Sequence, residues 1–417
     1  MASVHIIGSG VVGLFSAWYL QKAGFQVTLF DQSDLTDGCS HGNAGMITPS
    51  HFVPLAAPGI VAQGFRWMFR SSSPFFIRPR IDTTLLAWLW RFYRSCNERQ
   101  ARRAMPVLLD FNQRSKDLYR DFQRETGLDF HLVEKGILMM YRSAKKQQEE
   151  LETARMAAQL GLETQVLDRR GLQDFEHGTA VDALGAVHYP ADAILHPNRL
   201  MTHLQALLRK GGAVFHTGRP VTGFETQGRR IVAVRCGQER FSADVFLLTA
   251  GSWSARLLRT LQVPLLLQDG KGYSVTLPDA AEQPAYAAIL TEAKVAVTPM
   301  GPDLRFGGTL ELGGMRADVN LPRVKAILEA VPQYYPRLRP ALPEKKDIWY
   351  GFRPCTPDGL PYIGRLERFP NLVLATGHAM MGLSLAPATG RLVSDLLTGA
   401  DHDAKAYLDA FRPGRFR

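Results

Sequence analysis

The chain is poor in cysteine, has no long apolar run and carries no concentrated block of one charge. Its four cysteines, Cys39, Cys96, Cys236 and Cys355, lie far apart and include no CxxC pair. Neither a zinc or iron–sulfur centre nor a disulfide framework is therefore expected, and a reducing compartment suits the thiols. No stretch reaches the ~18 consecutive apolar residues needed to cross a bilayer. The N-terminus enters a strand-like run at Val4 without the basic and apolar regions of a secretion signal. A cytoplasmic protein, neither exported nor integral, is the expectation. The net charge is +10, yet Lys and Arg are spread along the chain and no nucleic-acid-binding motif accompanies them, so nucleic acid is not an expected partner. Also lacking are internal repeats, a Ser/His/Asp set and a paired carboxylate in convincing context, and no metal is expected.

What is present begins with length. At 417 residues and 46% hydrophobic content the chain can bury a substantial core in two or three domains. The first thirty residues alternate as a βαβ unit: the apolar run Val4–Ile7, a glycine turn, a helical pattern through Leu20, then Gln26–Phe30. Gly8, Gly10 and Gly13 form G-x-G-x-x-G between strand and helix. Bare backbone there lets a pyrophosphate approach the helix N-terminus and the N–H groups around Val11 and Val12. Asp31, followed by Gln32, ends the next strand, where a carboxylate accepts hydrogen bonds from ribose hydroxyls and repels a 2′-phosphate; FAD or NAD is favoured over NADP.

Further on, Leu132–Tyr141 reads as a strand pair feeding a helix over 144–160, and Pro197–Lys210 as a helix stopped by Gly211-Gly212. Residues 213–240 alternate like a meander before the strand Val245–Leu248. Short β-like runs separated by Gly and Pro between 263 and 312 suggest an antiparallel sheet in a second domain. The last seventy or so residues return to strand–turn–helix, with Leu372–Ala375 and a helix from about Leu383 to Leu397. The expected division is a discontinuous nucleotide domain of residues 1–60, 147–262 and 350–417, with 61–146 and 263–349 forming the second domain.

A second glycine fingerprint, needed to bind NADH beside a flavin, is absent. The turn Gly377-His378 with Met381, Gly382, Leu383 and Ser384 suits an isoalloxazine ring, and the helix after it would aim its positive end at the flavin N1–C2=O edge. The single dinucleotide is thus expected to be FAD.

Six motifs then follow in order: Gly38-Cys39-Ser40-His41-Gly42-Asn43-Ala44-Gly45, Lys271-Gly272-Tyr273-Ser274, Gly308-Thr309-Leu310-Glu311, Gly351-Phe352-Arg353-Pro354, Thr356-Pro357-Asp358-Gly359 and Thr376-Gly377-His378. In these the chain resembles the FAD-dependent D-amino acid oxidase and glycine oxidase superfamily, nearest to its D-amino acid dehydrogenase branch. The resemblance implies an α/β Rossmann-like FAD-binding domain plus an α+β substrate domain with an antiparallel sheet. It implies that Ser40, Gly42, Asn43, Ala44, Gly45 and Met46 form the loop under the flavin, and Ala250, Gly251 and Trp253 the turn near the diphosphate and ribose. It implies Arg353 as the two-pronged anchor of a substrate carboxylate, a task for which a planar guanidinium is suited, and Tyr273 as the phenol that helps hold that carboxylate or caps the pocket. A packed strand tyrosine and an interface salt bridge are the plain structural readings of the same two residues. Lys271 and Arg305 face either the substrate or solvent. His196 and Cys355 are read as structural; His41 and His378 stand open, since some members of the family attach the flavin through a histidine near the first loop and many do not, and FAD is expected to be non-covalently bound.

The implied reaction is oxidation of a small D-amino acid, neutral or proline-like, D-hydroxyproline included, to the imino acid, by hydride transfer from Cα to flavin N5. Electrons then pass to a quinone or other respiratory acceptor. Aromatic and basic residues interleaved over 65–94 read either as a peripheral contact on the inner face of the cytoplasmic membrane or as amphipathic helices packed on the FAD domain. Two rival functions remain open from sequence: an oxygen-using amine oxidase of glycine, sarcosine or iminodiacetate type that makes hydrogen peroxide, and a flavin-bearing electron-relay subunit. Oligomerisation is open as well.

Overall fold

The computed structural model describes residues 1–57, 75–78, 80, 82–177, 179–400 and 404–416. Of the segment 65–94, residues 65–74, 79 and 81 therefore lie outside the described residues.

Two sheets organise the chain. The smaller has six strands in the order Tyr362–Arg365, Leu372–Thr376, Val245–Leu248, Ser3–Ile7, Gln26–Phe30 and Val214–His216, all parallel except the first. Parallel strands covered on both faces read as near-continuous apolar runs, as Val-His-Ile-Ile and Val-Phe-Leu-Leu do. Helix Val11–Lys22 is buried along most of its length, with Leu14, Phe15, Ala17 and Leu20 inaccessible. It lies between the sheet and two long helices, Glu98–Thr126 and Gly382–Thr398. The first of these is amphipathic. Asn97 caps it by accepting the Gln100 N–H at 2.9 Å, and Gly127 ends it. Its inner stripe, Ala104, Leu108, Phe111, Tyr119 and Phe122, joins the nucleotide-side core, where the Phe15 ring meets Tyr119 and Phe122 edge-on at 5.3 Å. Full burial of such a ring is worth about 1.5–3 kcal/mol.

The larger sheet has nine strands. Trp349–Cys355, Gln268–Leu277, Asp303–Leu312, Val295–Met300 and Ala287–Leu290 are antiparallel neighbours. One parallel junction joins Ala287–Leu290 to Ile137–Tyr141, after which Gly185–Tyr189 and Gln165–Asp168 complete the row. The strand Phe75–Ile77 pairs with the end of Asp303–Leu312. Helix Leu321–Tyr334 covers one face, with Val324, Ile327, Leu328 and Val331 in that core.

Strand pairing crosses the boundaries expected from sequence. Residues 165–189 and 349–355 pair in the larger sheet, whereas helix Glu98–Thr126 packs with the smaller one. Pairing partners are chosen by faces brought together over long sequence separations, which local composition does not carry. The expected strand pair over 132–141 is one strand, Val133 instead bridging Ile194. The expected meander divides: Val214–His216 joins the parallel sheet, and residues 223–241 form a separate three-stranded antiparallel sheet.

Candidate active site

The carboxyl ends of the parallel strands open on a cavity of about 2240 Å3, where ligands of open α/β sheets bind. The turns after these strands line it: Gly8-Ser9-Gly10, Asp31-Gln32, Thr249-Ala250-Gly251 and the segment following Thr376. Gly8 has φ 105°, and a Cβ there would lie 2.7 Å from the Thr249 carbonyl oxygen; a Cβ on Gly13 would lie 2.1 Å from that of Gly8. Only glycine permits this conformation and approach at ordinary cost.

At the start of helix Val11–Lys22 no side chain of Gly10 caps the free N–H groups, and the Val11 N–H donates to Ser40 Oγ at 3.1 Å. Asp31 accepts the Ser9 N–H at 2.7 Å on one oxygen, and the Ser33 N–H and hydroxyl at 2.9 Å on the other. An ionised carboxylate keeps lone pairs for a ribose hydroxyl beyond these three bonds. Ser9 Oγ is buried in the same turn with no partner, a polar group whose isolation costs ~1–3 kcal/mol unless a ligand meets it.

A second helix N-terminus faces the same cavity. Helix Gly382–Thr398 starts without a side-chain cap, and Met381, Gly382 and Leu383 line the cavity. The loop Ser40–Ala44 lies along it, held by the larger sheet: Ser274 Oγ donates to the Gly42 carbonyl at 2.9 Å, and Arg305 donates to those of His41 and Asn43 at 3.0 and 2.7 Å. Met46, Val12 and Trp253 also contribute to the lining. Four expected cofactor residues do not. Gly13 and Gly45 close tight backbone approaches, Gly377 packs beside Thr356 and Tyr362, and Ser384 bonds Asn112 at 2.7 Å and the Thr48 N–H at 2.9 Å. They shape the wall from behind. His378 is buried with Nε2 3.0 Å from Thr389 Oγ1, and burial pushes its pKa down to about 3.

Arg353 lies on the cavity wall. It shares a sheet face with Gly272 and Gly270, where a Cβ on Gly272 would fall 2.4 Å from Arg353 Nη2, so the bare strand is what leaves room for the guanidinium. One Nη donates to the Thr309 carbonyl. Among the described residues no carboxylate lies within 4.0 Å of it, and burial pulls its pKa below the usual arginine value. The interface salt bridge is therefore not formed. An unpaired cation held half-buried in a cavity wall is costly and calls for an anionic partner. Thr309 itself has φ 63° and an orphaned, buried Oγ1; a β-branched residue there is strained, and strain gathers at functional sites.

Tyr273 borders the same cavity as Arg353, but its hydroxyl is turned to other partners. The strand alternates, so Tyr273 points to the sheet face opposite Gly272. Its hydroxyl accepts the Asn320 N–H at 3.3 Å and lies 3.5 Å from Glu311, and burial pushes its pKa up to about 12. Lys271, on that same face, bonds Asp318, and buried Arg305 is taken up by the loop. Cys355 is fully buried, with its thiol pushed up to about 12. Sequence reasoning passed over His51, Glu150 and Lys294, which carry no motif, and quoted Thr309 only as part of one; all four line the cavity, and the backbone angles of Thr309 and Lys294 have no sequence signal.

A glycine cradle that a Cβ would fill, an orphaned hydroxyl and two open helix N-termini fit an adenine dinucleotide with an electron-accepting ring. Comparison with known proteins agrees. A family model described as FAD dependent oxidoreductase matches residues 3–396. A D-amino acid dehydrogenase of Methylobacterium radiotolerans is 34% identical over 403 residues, spanning 95% of this chain and 96% of its own. One of Granulibacter bethesdensis is 32% identical over 402 residues, spanning 95% and 96%. The solved glycine oxidase of Geobacillus kaustophilus superposes with a TM-score of 0.78 at 22% identity, covering 100% of this chain and 99% of that one. The chain belongs to the family of FAD-dependent oxidoreductases.

Proposed function

We propose that this flavoenzyme oxidises a small D-amino acid, neutral or proline-like, to its imino acid and passes the electrons to a quinone or another respiratory acceptor. The observation that carries the reading is the Arg353 guanidinium, half-buried on the cavity wall with no carboxylate of its own. FAD, when bound, supplies the two-electron acceptor at the Cα–H. Arg353 holds the substrate carboxylate by parallel N–H bonds, fixing the direction of that C–H. Thr309, through its carbonyl, fixes the guanidinium, and the helix opening at Gly382 presents its positive end where negative charge develops. No general base is needed if the amine reacts neutral. In this reading the smaller sheet carries the cofactor and the larger one the substrate, and FAD is held without a covalent bond.

A peripheral membrane contact belongs to the same proposal. Helix Thr83–Ser95 exposes Leu86, Trp90 and Tyr93, with Arg94 6.0 Å from the centre of the Trp90 ring, an aromatic and basic surface of interfacial type. Among the described residues no helix is long and apolar enough to cross a membrane.

Anaerobic flavin bleaching against D- and L-amino acids, imino acids and N-methyl amino acids tests the reaction. Bleaching by D-amino acids, with a quinone or dye as the effective oxidant, is expected. Rapid peroxide formation in air with glycine or sarcosine would replace this reading by the oxidase, and absence of bleaching with every compound by an electron relay.

A further inference from the structure

The cavity runs on past Arg353 to a second polar group that the reaction above does not use. Thr309, whose carbonyl takes the Arg353 bond, adjoins Gly308, which pairs with Val295; Lys294 precedes Val295. Backbone positions one residue along and one strand across are roughly 6 Å apart. From this wall, lined by Ala296 and Ile289, the cavity reaches helix Ala144–Gln159 and Glu150.

Lys294 has φ 54° in the turn between two strands, a backbone state that glycine or asparagine would hold more cheaply. Its side chain is accessible yet lines the cavity, and burial by the surrounding protein lowers its pKa. Glu150 is lifted by burial, with Lys294 the leading charge opposing that shift. Among the described residues neither has an opposite charge within 4.0 Å. The groups around them are already committed. Lys146 pairs with Glu149, and Glu292 takes bonds from Ser143 and Tyr334. His51 Nδ1 lies 3.2 Å from Ser50 Oγ, and the ring is kept neutral by burial and by Lys294, with its pKa down to about 4.

We propose that Lys294 and Glu150 form the pocket for the end of the substrate side chain and select a neutral group that accepts and donates hydrogen bonds at once, a hydroxyl or a carboxamide. This rests on the amino acid reading above and narrows it. Such a group accepts from the Lys294 ammonium and donates to the Glu150 carboxylate. A side chain ending in one charge satisfies one member and repels the other. An apolar end strips water from both and returns no hydrogen bond, the more severe loss. Sites built to bond a substrate hydroxyl reject the analogue lacking it by up to about 10⁴–10⁵-fold; an open, partly wet arm is expected to reach at least about 100-fold.

The test uses the holoenzyme and matched pairs: D-proline with its 4-hydroxy derivative, and D-leucine with D-asparagine, compared by kcat/KM in anaerobic flavin reduction. The expected result is a preference of at least about 100-fold for the polar member of at least one pair, with D-aspartate and D-lysine poor. In Lys294→Met and Glu150→Leu, checked for FAD content, that preference falls by about tenfold or more, the worth of one charge-assisted hydrogen bond. Equal values within both pairs in the unaltered enzyme would overturn the proposal. So would a preference that survives both substitutions, or D-aspartate as the best substrate. If no amino acid bleaches the flavin, the amino acid reading itself has failed, an outcome distinct from equal bleaching by both members of a pair.

Discussion

Replacing Arg353 by leucine should move binding and folding stability in ways that a structural arginine would not. In the native protein the guanidinium has one bond to the Thr309 carbonyl and no carboxylate within 4.0 Å. Removing it discards an unpaired, half-buried cation, which favours the folded state, and orphans one carbonyl, which costs ~1 kcal/mol, so the stability should change little. Substrate binding loses far more. Truncating one partner of a buried, hydrogen-bonded charge pair costs about 2–5 kcal/mol. At 1.36 kcal/mol per factor of ten this is about 30-fold to about 5000-fold in kcat/KM. Arg353→Lys keeps the charge but loses the fork, and should recover part of the affinity. The assay is anaerobic flavin reduction over a range of amino acid concentrations, paired with thermal unfolding of the same holoenzymes. A large fall in melting temperature with unchanged KM would refute the assignment, since it would make Arg353 a scaffold residue.

Three smaller predictions follow from the same geometry. Gly272→Ala puts a Cβ 2.4 Å from Arg353 Nη2, so KM for the amino acid should rise about tenfold, equivalent to ~1.4 kcal/mol, with FAD content unchanged; an unaltered KM would show that the guanidinium has other room. Acid precipitation should release all the FAD into the supernatant, as expected of a non-covalently held flavin, His378 being buried with Nε2 on Thr389; yellow pellet would contradict this. Asp192 is fully buried against Ser50, and burial raises its carboxyl from 3.8 to about 7. Between those values the folded state holds a proton that the unfolded state has released, so its contribution is complete below about pH 4 and is lost as pH rises towards 7. Denaturant unfolding should therefore show the stability of the unaltered protein falling relative to Asp192→Asn across that range, and a pH-independent difference would remove the argument.

Local features were legible in the sequence; relations across faces were not. Gly8, Gly10, Gly13 and Asp31 announce the dinucleotide turn because strand, helix and acidic residue lie within one short stretch, and Pro197–Lys210 is the helix its capping and spacing predict. The Arg353 motif led to the cavity wall. Tyr273 borders the same cavity, but its hydroxyl is engaged by Asn320 and Glu311, because a one-residue step along a strand reverses the side chain. Ser384 belongs to the expected flavin turn by position, yet its hydroxyl is engaged by Asn112 from a helix distant in sequence. Lys294 and Glu150 carry no motif and come to line one cavity only through the fold.

The order of the smaller sheet also governs assembly. Its strands come from the two ends and the middle of the chain, Ser3–Ile7 flanked by Gln26–Phe30 and Val245–Leu248, with Leu372–Thr376 beyond. Such non-local pairings carry high loop-closure entropy and form slowly. During synthesis the glycine turn Gly8-Ser9-Gly10 emerges long before the segment following Thr376. A nascent chain thus exposes unpaired parallel strands until Leu372–Thr376 has been made, and these edges are liabilities for aggregation. FAD, binding only the completed arrangement, draws the folding equilibrium forward by mass action, so cellular yield should track flavin supply.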